Sequence, residues 1–415
     1  MSRDRRHQLA YVDDRPCSAL RPCSLNYRLF DREDILPILL RTMAEELGPE
    51  YIEATAHLPQ FYVDTAGDPV REAERFRYWC ADKNLTPTRF CCMSEPRQEF
   101  WQAFACASGL NGFTQDVAHA LRHKPTMKAW IRAAGLRTAE YMALDNIADL
   151  LHFAEVHAYP VVLKPVAGWG ARATYILRDE AAAQRMAHLI DEGSMMVETY
   201  IPYAEYECCA LLANGRVLDV FPSVMPTPPA EVMRGGINAN ISVAGSPFHI
   251  PVDQLRRVVQ QLISAFRLRS GYLHLEFFSS SDGEYFYVSE LALRYPGCEI
   301  AKNHGLAYGF DIASTTIDIY LGLVPELRYG SLRSVGDLLL PYVPGAVEHI
   351  SSKDELLRLP GVLEVHLGVA IGDVLPEVED ASYNCSGWVF VEGVDPAEVE
   401  DRMSRVLQAF SLVTS

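Results

Sequence analysis

The sequence predicts an α/β protein built from more than one domain, and three observations support this fold class. A chain of 415 residues is longer than a single hydrophobic core normally allows. Hydrophobic residues make up 49% of the chain and charged residues 22%, which is the balance of a folded globular protein. From residue 124 onwards, short β-branched runs alternate with helical patterns and glycine-containing loops. We therefore expect two or three domains that contain both helices and strands.

Net charge and cysteine usage argue against several classes of protein. The formal net charge of −17 would repel the phosphates of nucleic acids and of anionic membranes. Ten cysteines are present, but no group of them has zinc-ligand spacing, and they are typical of reduced thiols. No apolar run approaches the length of a transmembrane helix, and the basic N-terminus lacks the apolar core of a signal peptide. We expect a cytoplasmic protein that binds neither nucleic acid nor membranes.

The N-terminal domain is predicted at residues 1–118. A helix is expected at 34–48, and strands are expected at 51–57 and 60–64, so this part should be a small α/β domain. It contains no motif from which we infer a function.

The middle of the chain, residues 119–325, has the clearest pattern. A helix at 124–135 should end at Gly135, and a helix at 145–158 should be capped by Asp145. Strands and hairpins then dominate.

The last part of the chain, residues 326–415, has short strands separated by Pro and Gly turns and a terminal helix. We expect it to form a separate small α+β unit.

The most informative segment is a predicted hairpin that carries two glutamates. If a three-residue loop at 281–283 or 282–284 closes it, Glu276 and Glu290 lie on the same face of the hairpin, whereas a two-residue loop would separate them. Two carboxylates this close repel each other unless a cation bridges them, and oxygen ligands suit Mg²⁺. The alternative is a surface hairpin with solvated acids, one of them paired with Arg294. The hairpin thus indicates a candidate metal site.

A glycine-rich loop follows a predicted buried strand. Lys164 ends that strand, and Gly168 and Gly170 flank Trp169. Glycine allows backbone amides to approach a polyphosphate, and a lysine adds a positive charge. The alternative is a plain turn with a solvated lysine. The loop fits neither a P-loop nor a dinucleotide-binding turn, because its glycines precede a strand.

A third segment, MMVETYIPYAEYE, is a predicted strand that runs into a kink. Adenine rings commonly lie against such a connection, with a carboxylate near the ribose hydroxyls, and Glu198 and Glu205 are the candidates. The alternative is an ordinary strand end with exposed acids.

These motifs, together with RHKPTMKAWIRAAGL, HLEFF and VSELALRYPG, occur in the order in which the ATP-grasp superfamily carries its signatures, and the chain resembles that superfamily over about residues 120–322. The resemblance implies two α+β subdomains that hold ATP between them, with a lid at about 146–200. Segments 1–118 and 326–415 would be the N-terminal and C-terminal domains of that fold. Within the superfamily, the chain looks most like the L-amino-acid ligases, which make dipeptides and related amides.

The resemblance also implies roles for individual residues. Arg294, Glu290 and Glu276 would be catalytic, and the two glutamates would hold two Mg²⁺ ions, for which Mn²⁺ could substitute. The residues that would bind ATP are Lys124, Lys164, Gly168, Gly170, Glu198, Tyr200, Ile201 and Glu205. His274, Arg294 and Gly297 would contact the substrate. Arg234, in a loop between two predicted strands, could pair with a substrate carboxylate, and the alternative is a solvated loop arginine. One departure is Ala292, which stands where the superfamily often has a metal-binding asparagine.

The implied reaction is ATP-dependent ligation of a small carboxylate to an amine through an acyl phosphate, with release of ADP and phosphate. Alternatives on the same scaffold are a carboxylase, a thiol ligase, or a nucleotide-binding protein with weakened catalysis, the last suggested by Ala292. The sequence leaves a homodimer open and does not name the substrates.

Overall fold

The N-terminal part of the chain forms a small parallel sheet. The structure is a computed structural model that describes residues 7–13, 28–42, 49–232, 236–297, 299–377 and 384–415. Strands β1 (His7–Val12), β2 (Ile35–Thr42), β3 (Gln60–Val63) and β4 (Arg89–Cys91) pair in the order β3-β2-β1-β4. All three pairings are parallel. Helices α1 (Pro49–Thr55), α2 (Pro69–Asp82) and α3 (Gln98–Ala107) connect and follow the strands.

Two predictions for this region were wrong. The predicted helix at 34–48 begins instead with strand β2, and its residues 43–48 lie outside the described part of the chain. A strand buried on both faces of a parallel sheet carries a continuous apolar run, which periodicity does not distinguish from a helix. The predicted strand at 51–57 is instead largely helix α1. Thr55 is fully buried and Ile52 is 47% exposed. The residues that suggested a strand therefore lie on the inner and outer faces of a helix.

The next elements build a second sheet with its own hydrophobic core. Their bounds are α4 (Gln115–Ala120), α5 (Lys124–Ala133), β5 (Tyr141–Leu144), α6 (Ile147–His157), β6 (Val161–Pro165), β7 (Tyr175–Leu177), α7 (Glu180–Arg185) and β8 (Met195–Thr199). The strands pair antiparallel in the order β5-β8-β6-β7. We call this four-stranded unit the lid sheet.

The predicted cap of helix α6 was off by one residue. Asn146, not Asp145, is the N-cap, and its side chain accepts a hydrogen bond from the Ala148 N–H at 2.8 Å. The Asp149 carboxylate accepts from the Asp145 and Asn146 backbone N–H groups, which completes a capping box around Asn146.

An antiparallel sheet of eight strands forms the centre of the molecule. Its strand order is β13-β12-β9-β10-β11-β14-β18-β16. The bounds up to the hairpin are β9 (Ala204–Ala213), β10 (Arg216–Val224), α8 (Pro229–Val232), β11 (Ala239–Ser242), α9 (Val252–Ala265), β12 (Gly271–Ser279) and β13 (Phe286–Ala292). The later bounds are α10 (Ile300–Tyr308), α11 (Ile312–Tyr320), β14 (Ser334–Leu340), β15 (Gly345–Ile350), α12 (Lys353–Leu357), β16 (Val362–Leu367), β17 (Val374–Leu375), β18 (Gly387–Gly393), α13 (Pro396–Ala409) and β19 (Leu412–Thr414).

The C-terminal part, which the sequence predicted as a small α+β unit, shares the central sheet. Strands β14, β18 and β16 extend the central sheet, and β14 pairs directly with β11. Only β15, β17 and β19 form a small sheet of their own. Hydrogen bonding between strands distant in sequence leaves no periodic trace, which is why the pattern suggested an independent unit.

The two faces of the central sheet pack against different partners. On one face, Leu275 and Leu291 of the hairpin share a core with Leu255 and Leu262 of α9. On the other face, core residues of β9 and β12 pack with helix α11 and with strand β1 of the N-terminal sheet. The polar residues of the hairpin lie on this second face. No helix in the described ranges is long and apolar enough to cross a membrane.

Candidate active site

The two hairpin glutamates are direct neighbours across the strands. Glu276 of β12 is the register partner of Glu290 of β13. The connection between the strands covers 280–285, so the predicted three-residue loop was wrong. The predicted shared face is nevertheless confirmed, because the register shifts between Glu276 and Phe277. Phe277 pairs with Val288, which leaves Ser289 as the extra residue of a β-bulge. Without the bulge, Glu276 would face Ser289 and the glutamates would point to opposite sides.

A cavity of about 410 Å³ lies between the lid sheet and the central sheet. The predicted site residues that line it are Lys124, Lys164, Gly168, Gly170, Glu198, Tyr200, Ile201, Glu205, His274, Glu276, Glu290, Arg294 and Gly297. Arg234, the remaining predicted site residue, lies outside the described residues. The folding of distant segments around one cavity thus brings together the residues that the motifs suggested.

Glu198 is the centre of a buried ion cluster. Its carboxylate contacts Lys164 Nζ at 2.6 Å and Lys128 Nζ at 2.9 Å, and all three side chains are buried. Burial alone would raise the pKa of Glu198, but the two ammonium groups outweigh this and hold the pKa at about 2. Burial lowers the pKa of Lys128 to about 8. Lys128 was missed in the sequence because it looked like an ordinary helix residue. The cluster joins helix α5 to the lid sheet.

Lys124 links the glycine-rich loop to the hairpin. Its Nζ donates to the Gly168 carbonyl at 3.3 Å and to Glu290 Oε1 at 3.2 Å. Burial would raise the pKa of Glu290, but the charges of Lys124 and Lys164 outweigh it and lower the pKa. In the glycine-rich loop, Gly170 has a φ of +62°, which side chains rarely adopt, whereas a side chain at Gly168 would make only ordinary contacts. The lysine can therefore exchange one negative partner for another, such as a phosphate.

Two neighbouring acids have raised pKa values. Burial, with repulsion from Glu276, raises the pKa of Glu205 to about 8. Burial also raises the pKa of Glu276 to about 7, and the Glu290 charge adds to this shift. The protein therefore does not supply enough positive charge here to keep all three carboxylates ionised. A bound cation would complete this group.

Arg294 is held by an acid from the N-terminal domain. Its guanidinium pairs with Glu95, which also accepts from Arg122 Nη1 at 2.6 Å. Arg122 in turn lies 5.9 Å from the ring centroid of Trp169, in the glycine-rich loop. Glu95 follows no motif, so the sequence offered no signal for it. The Arg294 Nε is buried and has no hydrogen-bond partner among the described residues, which leaves a donor for a ligand.

A third acid extends the row of glutamates across the sheet. Glu207 of β9 is the register partner of Glu276, and it pairs with His274 Nε2. Burial would lower the pKa of His274, but the Glu207 carboxylate outweighs it and raises the pKa. Glu207 stands in the apolar run ECCALL, and only its alternation with Glu205 could have indicated it.

Comparisons with known proteins agree with this architecture. Residues 129–296 match the ATP-grasp domain family, and residues 338–415 match the family described as L-amino acid ligase C-terminal domain 2. The chain is 26% identical over 314 residues to the L-arginine-specific L-amino acid ligase of Bacillus subtilis, which covers 73% of this chain and 75% of that protein. The chain is an ATP-grasp ligase. The carboxylate–amine ligation that its motifs implied is thus supported by a ligase relative.

Other similarities to this ATP-grasp ligase are shorter or concern the fold. A D-alanine–D-alanine ligase of Clostridium botulinum is 28% identical over 100 residues, which is 23% of this chain and 33% of that protein. The crystal structure of an L-amino acid ligase from Bacillus licheniformis superposes with a TM-score of 0.77 at 18% identity, covering 99% of each chain. An ATP complex of carboxyaminoimidazole ribonucleotide synthase from Aspergillus clavatus gives a TM-score of 0.71 at 14% identity, covering 98% of each chain. These solved structures share the ATP-grasp fold.

Proposed function

We propose that this ATP-grasp ligase activates an amino acid carboxylate as an acyl phosphate, releases ADP, and transfers the acyl group to the amine of a second substrate. The observation that carries the proposal is the juxtaposition of Glu276, Glu290, Lys124 and Arg294 in one cavity between two sheets. Phosphoryl transfer depends on positioning and on neutralising charge, and this group offers two metal-binding acids and two cations.

The lid side of the cavity is suited to the nucleotide. Val162 and Ile176 of the lid sheet, with Phe278 of the central sheet facing the same cavity, contribute apolar surface for an adenine ring. In this proposal, Glu198 with the backbone of Tyr200 and Ile201 binds the adenine, and Glu205 binds the ribose. Lys124 and Lys164 bind the phosphates, and the loop that contains Gly168 and Gly170 covers them.

Glu276 and Glu290 fit a magnesium site. The two acids are adjacent, and the positive charge of Lys124 contacts Glu290. Glu276 has a raised pKa, which indicates that the nearby positive charge does not offset both carboxylates. Mg²⁺ ordinarily takes one or two protein carboxylates and completes its octahedral shell with phosphates and water. When bound, it would neutralise the charge on the β- and γ-phosphates. Ala292 provides no ligand, so we propose that Glu290 serves both ions of a two-metal site, with Mn²⁺ able to substitute.

The reaction needs no covalent nucleophile from the protein. A substrate carboxylate oxygen attacks the γ-phosphorus, the bond to the β-phosphate oxygen breaks, and ADP leaves. The amine then attacks the acyl carbon, loses a proton and displaces phosphate. Arg294, held in place by Glu95, can donate its Nε–H to the acyl phosphate. His274 and Gly297 lie on the same side of the cavity and would contact the substrate.

The substrates are proposed to be amino acids or similar small acids and amines. The Bacillus subtilis relative is specific for L-arginine, which makes that amino acid a first compound to test. Cytoplasmic location, the lack of nucleic-acid and membrane partners, and a homodimer all stay predictions. None of the described residues that line the cavity favours the carboxylase or thiol ligase alternatives.

Product analysis tests the proposed reaction directly. We expect ADP and phosphate, not AMP and pyrophosphate, because in this proposal the acids and Arg294 would surround the terminal phosphoryl group. Pairs of amino acids should be screened for phosphate release, and the nucleotides separated by chromatography. AMP formed in a one-to-one ratio with the ligated product would contradict the mechanism. Binding of ATP without ADP release in any amino acid pair would favour the weakened-catalysis alternative.

Closure of the lid can be followed through Trp169. The residue lies in the loop that should cover the phosphates, and Arg122 lies near its ring. We expect its fluorescence to change when magnesium-ATP binds, because the loop and the indole environment should rearrange. Arg122→Lys keeps the charge but weakens the stacking, so it should alter the unliganded signal. A Trp169→Phe variant identifies the Trp169 contribution. An unchanged Trp169 signal at saturating nucleotide would contradict closure of the loop.

A further inference from the structure

A second group of polar side chains lines the cavity beyond the residues that we propose for ATP. Glu207 on β9, Asn240 on β11 and Asp337 on β14 all contribute to its wall. Asn240 and Asp337 are register partners, and the Asn240 side-chain amide donates to the Glu207 carboxylate. The three residues therefore form one continuous surface, which we call the acidic wall. None of them takes part in the proposed binding of ATP.

The acidic wall contains hydrogen-bond acceptors without donors. Asp337 is 2% exposed, and its Oδ2 accepts from the Glu299 backbone N–H at 3.0 Å. Its Oδ1 has no hydrogen-bond partner among the described residues, and the same is true of Asn240 Oδ1. The donation to Glu207 sets the orientation of the Asn240 amide. Buried polar atoms are normally paired, so two unpaired acceptors on one cavity wall indicate a ligand that donates hydrogen bonds.

Asp337 is the member of the acidic wall that has no cationic partner among the described residues. Glu207 is balanced by His274. Lys302 is the cation that acts on Asp337, but it forms an ion pair with Glu364 at 2.5 Å. Asp337 has no ion pair within the described part of the chain, and burial, with the nearby Glu299 and Glu207, raises its pKa to about 7. Burying an unpaired carboxylate is costly, and a cationic ligand would remove that cost.

We infer that the acidic wall binds the cationic group, an ammonium or a guanidinium, of an amino acid substrate. This inference rests on the proposed function, because it concerns one substrate of that reaction. Both cations carry only donors, which matches the unpaired acceptors of Asp337 and Asn240. A phosphate would be repelled here. Asp337 lies several strands from the Glu276–Glu290 pair, so the cation belongs to a group remote from the reacting atoms, such as the side chain of a basic amino acid.

The test compares amino acids that differ in charge but little in shape. L-lysine is paired with L-norleucine and L-arginine with L-citrulline, and kcat/KM is measured from phosphate release. Wild type should favour the charged member of a pair. Asp337→Asn keeps the shape and removes the charge, so it should reduce that preference by ~10-fold or more, the equivalent of ~1.4 kcal/mol. For Asp337→Asn, the kcat/KM for the neutral amino acid and the KM for ATP should stay within ~2-fold of the wild-type values. Asp337 would contact only the charged group of the substrate, so the change should not affect all substrates equally.

Asp219→Asn is the matched control. Asp219 is a mostly buried acid on β10 of the same sheet, but it is bonded to Arg256 at 2.8 Å and to Tyr329 at 2.6 Å and does not line the cavity. This control should leave the preference for charge unchanged. Asp337→Asn should not lower the melting temperature, because the carboxylate has no cationic partner; Asp337→Ser provides a second variant if it does. An equal loss for charged and neutral substrates, or no preference in wild type, would overturn the inference.

Thermal shift separates this inference from the proposed function. If wild type releases no phosphate with any amino acid, the proposed reaction fails, but the acidic wall can still be tested by binding. L-lysine should then raise the melting temperature more than L-norleucine, and Asp337→Asn should abolish the difference. Equal shifts with both amino acids in wild type would refute the cation site independently of catalysis.

Discussion

Replacing Glu290 with glutamine should lower the turnover of the ligase by at least ~100-fold at saturating magnesium, because a metal clamp supplies several kcal/mol of transition-state stabilisation. The change removes one negative charge and keeps the size of the side chain. Glu290 faces Glu276 across the hairpin and also contacts Lys124. The measurement is steady-state ADP formation with an active amino acid pair.

Three comparisons make the Glu290 result specific. Glu276→Gln should act in the same direction but less strongly, since Ala292 leaves Glu290 as the ligand that both ions would share. Glu284→Gln, in the exposed connection of the same hairpin, is the matched control and should keep full activity. The melting temperature of Glu290→Gln should match that of wild type. Turnover within a few-fold of wild type would remove Glu290 from the metal site and leave a simple Lys124 ion pair.

Replacing Glu198 with glutamine should cause the largest loss of stability, because it leaves two buried ammonium groups without a counter-charge. Lys128 and Lys164 are both within 3 Å of the Glu198 carboxylate and have side-chain exposures of 1% and 9%. Removing one partner of a buried ion pair typically costs ~3–5 kcal/mol in the free energy of unfolding. Chemical denaturation at pH 7 measures this change. Glu140 provides the control, because it forms an exposed ion pair with Arg132 at 2.9 Å. Glu140→Gln should cost less than ~1 kcal/mol.

The effect of Glu198 should depend on pH in a defined direction. The pKa of Glu198 is about 2 in the folded protein, below its ordinary value of 4.5. A group whose pKa is lowered by folding stabilises the protein above its unfolded pKa, and this contribution is lost as the pH falls towards the folded value. The stability difference between wild type and Glu198→Gln should therefore shrink as the pH falls below about 4.5, where the Glu198 contribution is lost. A difference that keeps growing on acidification below about pH 4.5 would contradict the assigned ion cluster.

Local patterns were sufficient for much of this fold. The helix predicted at 124–135 follows from helical spacing and a glycine stop, and the structure confirms it at Lys124–Ala133. Strand β2 was predicted as part of a helix, and helix α1 was predicted as a strand. A buried apolar run and a short half-exposed segment each have a periodicity that fits both structures. Tertiary burial resolved both cases.

Part of the active site could also be predicted from the sequence. The motifs that carry Lys124, Lys164, Glu198, Glu276 and Glu290 were recognised by their order, and all five residues meet in one cavity. The shared face of Glu276 and Glu290 was predicted, but from a loop length that proved wrong. A β-bulge at Ser289 restores the alignment, and a bulge depends on how two strands pair.

The sequence by itself predicted the class of reaction, because its motifs stand in the order of the ATP-grasp signatures and the chain resembles that superfamily. Only the tertiary structure decided which further side chains complete the site. Glu95 reaches Arg294 from the N-terminal domain, Lys128 reaches Glu198 from a helix, and Asp337 reaches the cavity from the C-terminal strands. These contacts join residues far apart in the chain, and their energies depend on burial and charge in three dimensions, which no local pattern records.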